Sequence, residues 1–408
     1  MIPRLKPYLD WQEVFAPFKR TDADVLAFEK AFAKKFNVQH ALAFPYGRSA
    51  LWAFLKTMQI ENAEIVQPAY TCSVVAHATV LSGNIPVFVD CTLDDYNMDL
   101  EKFADAITDK TQAVIPTHIF GHPMDVDTIN QIVRSAEKKF GHKIWVIQDC
   151  AHSFNAKWHK NYVMQSGDAA LFGLGISKLI TSIFGGMFTT NNDALANKLR
   201  LFRDQNFIHP GSIKNLRRYL YLLAVYPAFS TPLYGFVYWL QKKTPLLNRL
   251  TKAYHLDQKI HFPPDFLNKL TSTEAAVGLV QLKKYDRIIN RRLSAAEIYF
   301  GLDAYHPVFI FPPKIEGATY SHFSIRTNRK KETMEYFARH GVQLGELIEY
   351  SMPHHPAYLK YTQGTKYPNA TLCSHSMINL PIHPALSQKQ ILNIGSTWDK
   401  FVNQAGTR

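Results

Sequence analysis

The sequence predicts an α/β protein whose large domain carries a mostly parallel sheet and whose carboxyl-terminal region forms a smaller α+β domain. Three observations carry this expectation. Short apolar strands alternate with amphipathic helices from residue 40 to about residue 205. Glycines stand where strands hand over to helices, as in AFPYGRSA and FGLGISK. Beyond residue 205 the alternation gives way to an apolar stretch, one long helical pattern and a mixed tail. A mostly parallel sheet is covered on both faces and places its reactive groups in loops at the strand carboxyl ends.

Length and composition fit that outline. A chain of 408 residues exceeds one ordinary core, so a large domain over 1–290, with an apolar insertion at about 215–252, and a small domain over 291–408 are expected. An apolar fraction of 47% with 19% charged residues describes a folded globular protein. The net charge of +13 fits nucleic acid, an anionic membrane surface or a phosphorylated substrate. The basic residues are scattered and no nucleic-acid-binding motif accompanies them, so nucleic acid is not expected as a partner. The four cysteines, Cys72, Cys91, Cys150 and Cys373, have neither disulfide-framework nor zinc spacing. No metal site is expected. The first twenty residues are too charged and aromatic for a secretory leader, and a cytoplasmic location follows as the expectation.

Taken in order, residues 22–36 read as a helix, capped by Thr21 or Asp22, with Val25, Phe28, Phe32 and Phe36 on one face. ALAFPYG is a strand ending at Gly47, and RSALWAFLKTM a helix starting there. Strand, glycine and helix amino terminus together offer free N–H groups to an anion, although a plain turn has the same pattern. Strand segments EIVQPAYT, IPVFVDCT, AVIPTHIFG and WVIQD follow, separated by helices ending near 81 and spanning about 100–107 and 127–139. After ALFGLG, a lysine turn and MFTTN comes a helix over about 193–205; a long helix covers about 272–301, and YSHFSIRT and MINLP are the strands of the small domain.

Two residues in this frame bear chemistry. Asp149 closes the apolar strand WVIQD, and Lys178 lies in the glycine-rich turn LFGLGISK. Pyridoxal 5'-phosphate needs such a pair. A lysine amine condenses with the cofactor aldehyde, and a carboxylate keeps the ring nitrogen protonated so that the ring accepts electrons. The plainer readings are a solvated loop lysine and a helix-capping or ion-paired carboxylate.

The blocks ALAFPYGRSAL, VQPAYT, IPVFVDCTLDDYNMD, PTHIFGHPMDVD, IQDCAHSF, SGDAALFGLGISK with FGG, TEAAVGLVQLKKYDRIINRR and NLPIHP occur in this order. Together they make the chain resemble the DegT/StrS-type sugar aminotransferase family over nearly its whole length. The resemblance implies the PLP-dependent type I aminotransferase fold, a homodimer, and transfer of an amino group, commonly from glutamate, to a keto-sugar that is nucleotide- or lipid-linked. By position it makes Lys178 the cofactor-binding lysine and Asp149 the partner of the ring nitrogen. It sets His152 near the cofactor ring and matches Gly47, Arg48 and Ser49 to the turn that holds the phosphate. Thr71 and Ser177 are candidates for lining the pocket, and Tyr350, His354 and His355 in EYSMPHHPAY match a segment that contacts the acceptor.

The sequence also departs from the family pattern. Gly173 replaces a phosphate-binding serine, which shifts that contact onto Ser177 or Arg48. Cys72 stands where many members carry an aromatic ring over the cofactor. Leu267 takes the place of an asparagine donated to the second subunit, with Asn268 one residue away. Two other functions stay open: a PLP-dependent sugar dehydratase, whose relatives carry histidine in place of the lysine, and a non-catalytic membrane-associated regulatory or scaffold protein that keeps the fold.

The stretch from Tyr219 to Gln241 has no charged residue and is bracketed by Arg217 and Arg218 and by Lys242 and Lys243. Its length matches a membrane span of about 20 residues. Both ends must stay with the enzyme body, however, and Pro227 and Pro232 break a continuous helix. The expected form is a pair of short helices dipping into one leaflet, with the flanking cations, Arg217 and Arg218 among them, toward anionic lipid, and a cover packed on the protein or its dimer mate as the alternative.

Overall fold

The computed structural model describes residues 1–21, 23–243, 260–302, 308–362 and 364–405. Its centre is a seven-stranded sheet in the order β1-β9-β8-β5-β4-β2-β3. The strands are β1 (His40–Phe44), β2 (Glu64–Pro68), β3 (Ile85–Val89), β4 (Thr111–Val114), β5 (Trp145–Asp149), β8 (Ala169–Gly173) and β9 (Gly186–Thr190), with a small hairpin of β6 (Lys157–Trp158) and β7 (Asn161–Tyr162) between β5 and β8. All neighbours pair in parallel except β9, which runs antiparallel to both β1 and β8. Six strands therefore point their carboxyl ends to one edge. The mostly parallel sheet expected from the apolar alternation is present.

Helices α1 (Trp11–Phe15), α2 (Asp24–Phe36), α3 (Gly47–Thr57), α4 (Ser73–Leu81), α5 (Leu100–Ala106), α6 (Val126–Phe140) and α7 (Asp193–Asn206) belong to this large unit. In α2 the residues Phe28, Phe32 and Phe36 are buried as their spacing predicts, and they pack with Phe154 and Phe172. Its start differs from expectation. The helix begins at Asp24, and Thr21 donates its hydroxyl to the Asp24 carboxylate rather than capping the helix; Asp22 lies outside the described residues. Helices α5 and α6 have the caps that sequence rules favour, Asp99 and Asp125, each accepting two backbone N–H groups.

Helix α8 (Ser212–Ala228) and helix α9 (Thr231–Lys243) come next, and the chain turns through 110° between them. Pro227 sits in the last turn of the first and Pro232 near the start of the second, so the break falls between the two prolines. Among the described residues no single helix is long and apolar enough to cross a membrane.

Helix α10 (Ser272–Phe300) joins the two cores. Its amino-terminal half buries Ala275, Leu282 and Tyr285 against the large-domain phenylalanines, and its carboxyl-terminal half buries Ala295, Ala296 and Tyr299 in the small-domain core. Position 290 falls inside this helix, so the passage between cores is a rigid rod rather than a linker. The small unit has an antiparallel sheet of β10 (Phe309–Ile310), β11 (Phe323–Thr327) and β12 (Met377–Leu380) with helices α11 (Lys330–Arg339), α12 (Pro368–Ser376) and α13 (Gln388–Ala405), packed around the fully buried Trp398. Asp90, beyond the end of β3, accepts the N–H groups of Asn369 and Ala370 in the first turn of α12. A buried carboxylate of the large unit thus caps a helix of the small one, which fixes one against the other.

Two buried histidines give the fold a defined acid limit. His118 accepts the Met124 N–H on Nδ1 and meets Gln148 Oε1 at 3.0 Å through Nε2; burial pushes its pKa down to about 4. His383 is likewise pushed down to about 3 by burial and by the nearby Arg292 charge. Between those values and the ordinary histidine value of about 6.5 the unfolded chain binds more protons than the folded one. Stability from these groups is complete above about pH 6.5 and is lost as pH falls toward 4, by about 1.4 kcal/mol per histidine per pH unit. Denaturant melts at stepped pH, repeated on His118→Gln, check this. An identical acid slope in the variant would remove His118 from the account.

Candidate active site

The carboxyl ends of β1, β2, β4, β5 and β8 supply the loops that meet at one edge of the sheet. From β5 comes Asp149, 5% exposed. Its Oδ1 accepts the Ala151 N–H at 3.0 Å, and its Oδ2 has a long contact of 3.4 Å from the Thr117 hydroxyl beyond β4. Thr71, beyond β2, reaches that same hydroxyl at 3.5 Å. Burial raises the Asp149 pKa, while the Ala151 N–H, the Lys178 charge and Thr117 oppose the rise. A buried carboxylate with one good hydrogen bond is a strong acceptor short of a cation.

Lys178 follows β8. The residue as a whole is partly exposed, but its amine end lies in the interior, where desolvation lowers its pKa against the opposing pull of Cys72 and Asp149. A lysine shifted toward its neutral form is a better nucleophile and base than a solvated one. Gly173 explains part of its placement: a Cβ there would stand 3.1 Å from Lys178 Cε. The absent side chain at 173 thus gives the lysine room.

The anion turn is formed by close packing of glycines. Gly47 opens α3, whose amino-terminal cap, Tyr46, offers no side-chain hydrogen bond. The Ser49 and Ala50 N–H groups return to the Tyr46 carbonyl, and the amino-terminal end of α3 is where an anion would be met. A Cβ on Gly186 would fall 2.3 Å from the Gly47 nitrogen, so only glycine lets β9 approach the turn this closely. Ser49 is fully buried and donates to the Phe266 carbonyl at 2.8 Å; its hydroxyl is directed into the fold. Arg48 is buried with its guanidinium 5.3 Å over the Tyr46 ring.

His152 is buried, and its Nδ1 has no hydrogen-bond partner among the described residues. Its ring centre is 5.2 Å from that of His322. Both are pushed well below the ordinary histidine pKa, first by burial and then by positive neighbours, Lys178 for His152 and Arg292 and Lys178 for His322. They are neutral imidazoles beside the lysine. Tyr350 accepts the Ser73 N–H at 2.9 Å, at the start of α4 directly after Cys72, and the Met352 N–H bonds to the Ala69 carbonyl. The small unit thereby closes over the 69–73 loop. His355 is buried and accepts the Ala357 N–H. The remaining two candidates lie outward: Ser177 is exposed, and His354 is exposed with Nδ1 3.3 Å from the Thr371 hydroxyl. Of the two replacements expected for the missing serine, exposed Ser177 is the less suited.

Sequence reasoning missed Thr117, His322 and the triad of Tyr46, Arg218 and Asp265. Thr117 lay in plain view within PTHIFG. Arg218 donates to Asp265 at 2.7 Å and to the Tyr46 hydroxyl at 3.1 Å, and pairs with Glu274 at 3.0 Å. This corrects the reading of Arg218 as a lipid-facing flank: two carboxylates at the base of the insertion draw it inward, and Asp265 draws Lys214 with it at 3.1 Å.

A lysine and a buried aspartate at the carboxyl edge of a mostly parallel sheet, beside a helix-terminal anion turn, define an aminotransferase of the type I fold. Comparison with known proteins places it further. The chain belongs to the DegT/DnrJ/EryC1/StrS aminotransferase family, whose family model matches residues 18–224 and 241–398. It is 27% identical over 379 residues to the GDP-perosamine synthase of Escherichia coli O157:H7, covering 92% of this chain and 89% of that protein. Among solved structures it is similar to Helicobacter pylori PseC, an aminotransferase involved in pseudoaminic acid biosynthesis, with a TM-score of 0.77 at 19% identity, covering 98% of this chain and 99% of that one. A GDP-4-keto-6-deoxymannose-3-dehydratase, ColD, shares the fold with a TM-score of 0.75 at 19% identity, covering 97% of this chain and all, 100%, of that one.

Proposed function

We propose that the chain transfers an amino group, from glutamate by family resemblance, to the keto group of a nucleotide-linked or lipid-linked sugar, with pyridoxal 5'-phosphate held between Lys178 and Asp149. The observation that carries the reading is that pair. Each is moved by burial toward its neutral form, and Asp149 would stabilise a protonated ring nitrogen. When bound, the cofactor would supply the electron sink for the carbanion at the carbon that bears the migrating amino group. Lys178 would anchor the cofactor through its amine and serve as the base and acid that moves the proton. The turn at Gly47 and Arg48 would hold the phosphate, with the Arg48 side chain compensating for the serine replaced by Gly173. Neutral His152 and His322 border the ring, Thr71 and Cys72 line its surroundings, and Tyr350 and His355 border the acceptor side.

A dehydratase like the ColD relative shares the fold, so the fold alone does not separate the two; the lysine at 178, which can return the proton that completes amination, favours transfer. The working unit is proposed to be a homodimer in the cytoplasm, resting on a lipid surface through the α8–α9 segment. The test is stoichiometric. Cofactor-loaded protein given glutamate should release one 2-oxoglutarate per site, and subsequent addition of keto-sugar nucleotides should yield an aminated sugar by mass spectrometry. Failure to convert any of the common amino acids to its keto acid overturns the reading.

A further inference from the structure

Helices α8 and α9 are covered on one side only. Leu222 is fully buried against Ile183 and Val277, and Tyr234 donates its hydroxyl to Gln343 at 2.6 Å. At about 100° per residue the opposite face of α8 carries Ile213, Leu216, Leu220 and Leu223, all of them exposed. On α9, Leu233, Phe236 and Trp239 are exposed as well. A second segment adjoins this face. Trp11, Phe15 and Phe18 near the amino terminus are 62%, 57% and 67% exposed, their rings form a row, and Phe18 meets Tyr219 of α8 edge-on at 5.5 Å. Every exposed Trp and Phe among the described residues belongs to one of these two segments, and together they hold more than half of the exposed large apolar side chains. So concentrated an apolar patch calls for a partner.

The charges select that partner. Between Asp204 and Asp257 the sequence has no carboxylate. Lys214 and Arg218 are spent internally on Asp265 and Glu274, but Arg217 and Lys243 are exposed, as are Lys19 and Arg20 next to the aromatic row. The acids at α1 are already paired: its cap Asp10 and the buried Glu13 both meet Lys284. A second copy docking symmetrically on this face would bring cations against cations with no carboxylate from the segment to pair them. An anionic lipid surface answers both the apolar face and the charge. Part of the segment is also absent from the shared family pattern, since residues 225–240 lie outside the family match.

We infer that the amino-terminal row Trp11, Phe15 and Phe18 and the outer face of α8–α9 form one docking surface for an anionic lipid leaflet. This deepens the lipid contact of the proposed function, and it predicts that the enzyme meets its acceptor at the membrane. The full-length protein is floated with vesicles of phosphatidylcholine alone and of phosphatidylcholine with phosphatidylglycerol. Wild type should float with the anionic vesicles and be released by salt. The triple variant Trp11→Ala, Phe15→Ala, Phe18→Ala and the pair Leu216→Glu, Leu220→Glu should each lose at least about tenfold in vesicle partition. Wild type that stays in solution, or a triple variant that floats like wild type, overturns the inference. So does a shift of Leu216→Glu, Leu220→Glu from dimer to monomer in lipid-free sedimentation, which would assign the face to a second copy. Release of 2-oxoglutarate from glutamate should be unchanged in both variants. That reaction needs no membrane, so its absence in wild type would count against the enzymatic reading and leave the lipid result standing.

Discussion

Replacing Lys178 with alanine is expected to lower kcat by about 10⁴-fold or more, because in the proposed function one side chain serves both as the covalent anchor and as the proton carrier. The fold should remain. Lys178 is partly exposed, makes no ion pair among the described residues, and its buried amine is a cost to the folded state rather than a support. Borohydride treatment of the cofactor-loaded wild type, followed by peptide mass mapping, should place the pyridoxyl group on Lys178 and leave the variant unlabelled. Turnover above about 1% of wild type in the alanine variant would contradict this assignment. A label on another lysine would contradict it as well.

Asp149→Asn should give the second largest effect. The change keeps the shape and still accepts the Ala151 N–H, but removes the negative charge, and a loss of about 10²–10³ in kcat is expected for an electrostatic contact of this kind. Thermal stability should hold or rise slightly, since burial disfavours the charged form of Asp149. A carboxylate that merely capped a turn would show the reverse: a less stable protein with full activity per folded molecule. The two outcomes are read from one melting curve and one rate.

Much of the architecture was legible because it is encoded locally. Phe28, Phe32 and Phe36 lie one helical turn apart and are buried together; the strand ending in Asp149 opens on the apolar run Trp145, Val146 and Ile147, as suits a strand covered on both faces. The pairing of Asp149 with Lys178 was legible for a related reason, since both follow strands of one parallel sheet and such strands end on the same edge. Sequence reasoning was weakest where a residue's role depends on a distant partner. His322 joins His152 only because β11 of the small unit folds against the loop after β5. Arg218 was assigned to lipid because its neighbours in the chain are apolar, yet Asp265 and Glu274, far along the sequence, draw it inward.

The sequence alone determined the order of strands and helices, the glycine turn at the start of α3, and the lysine and aspartate to which the chemistry is proposed to belong, because periodicity, backbone freedom and side-chain reactivity are properties of short segments. Tertiary structure decided which groups surround that pair, which cations remain free, and which face of α8 is covered. Those outcomes depend on burial and on long-range pairing of charges, and neither exists until the chain has closed on itself.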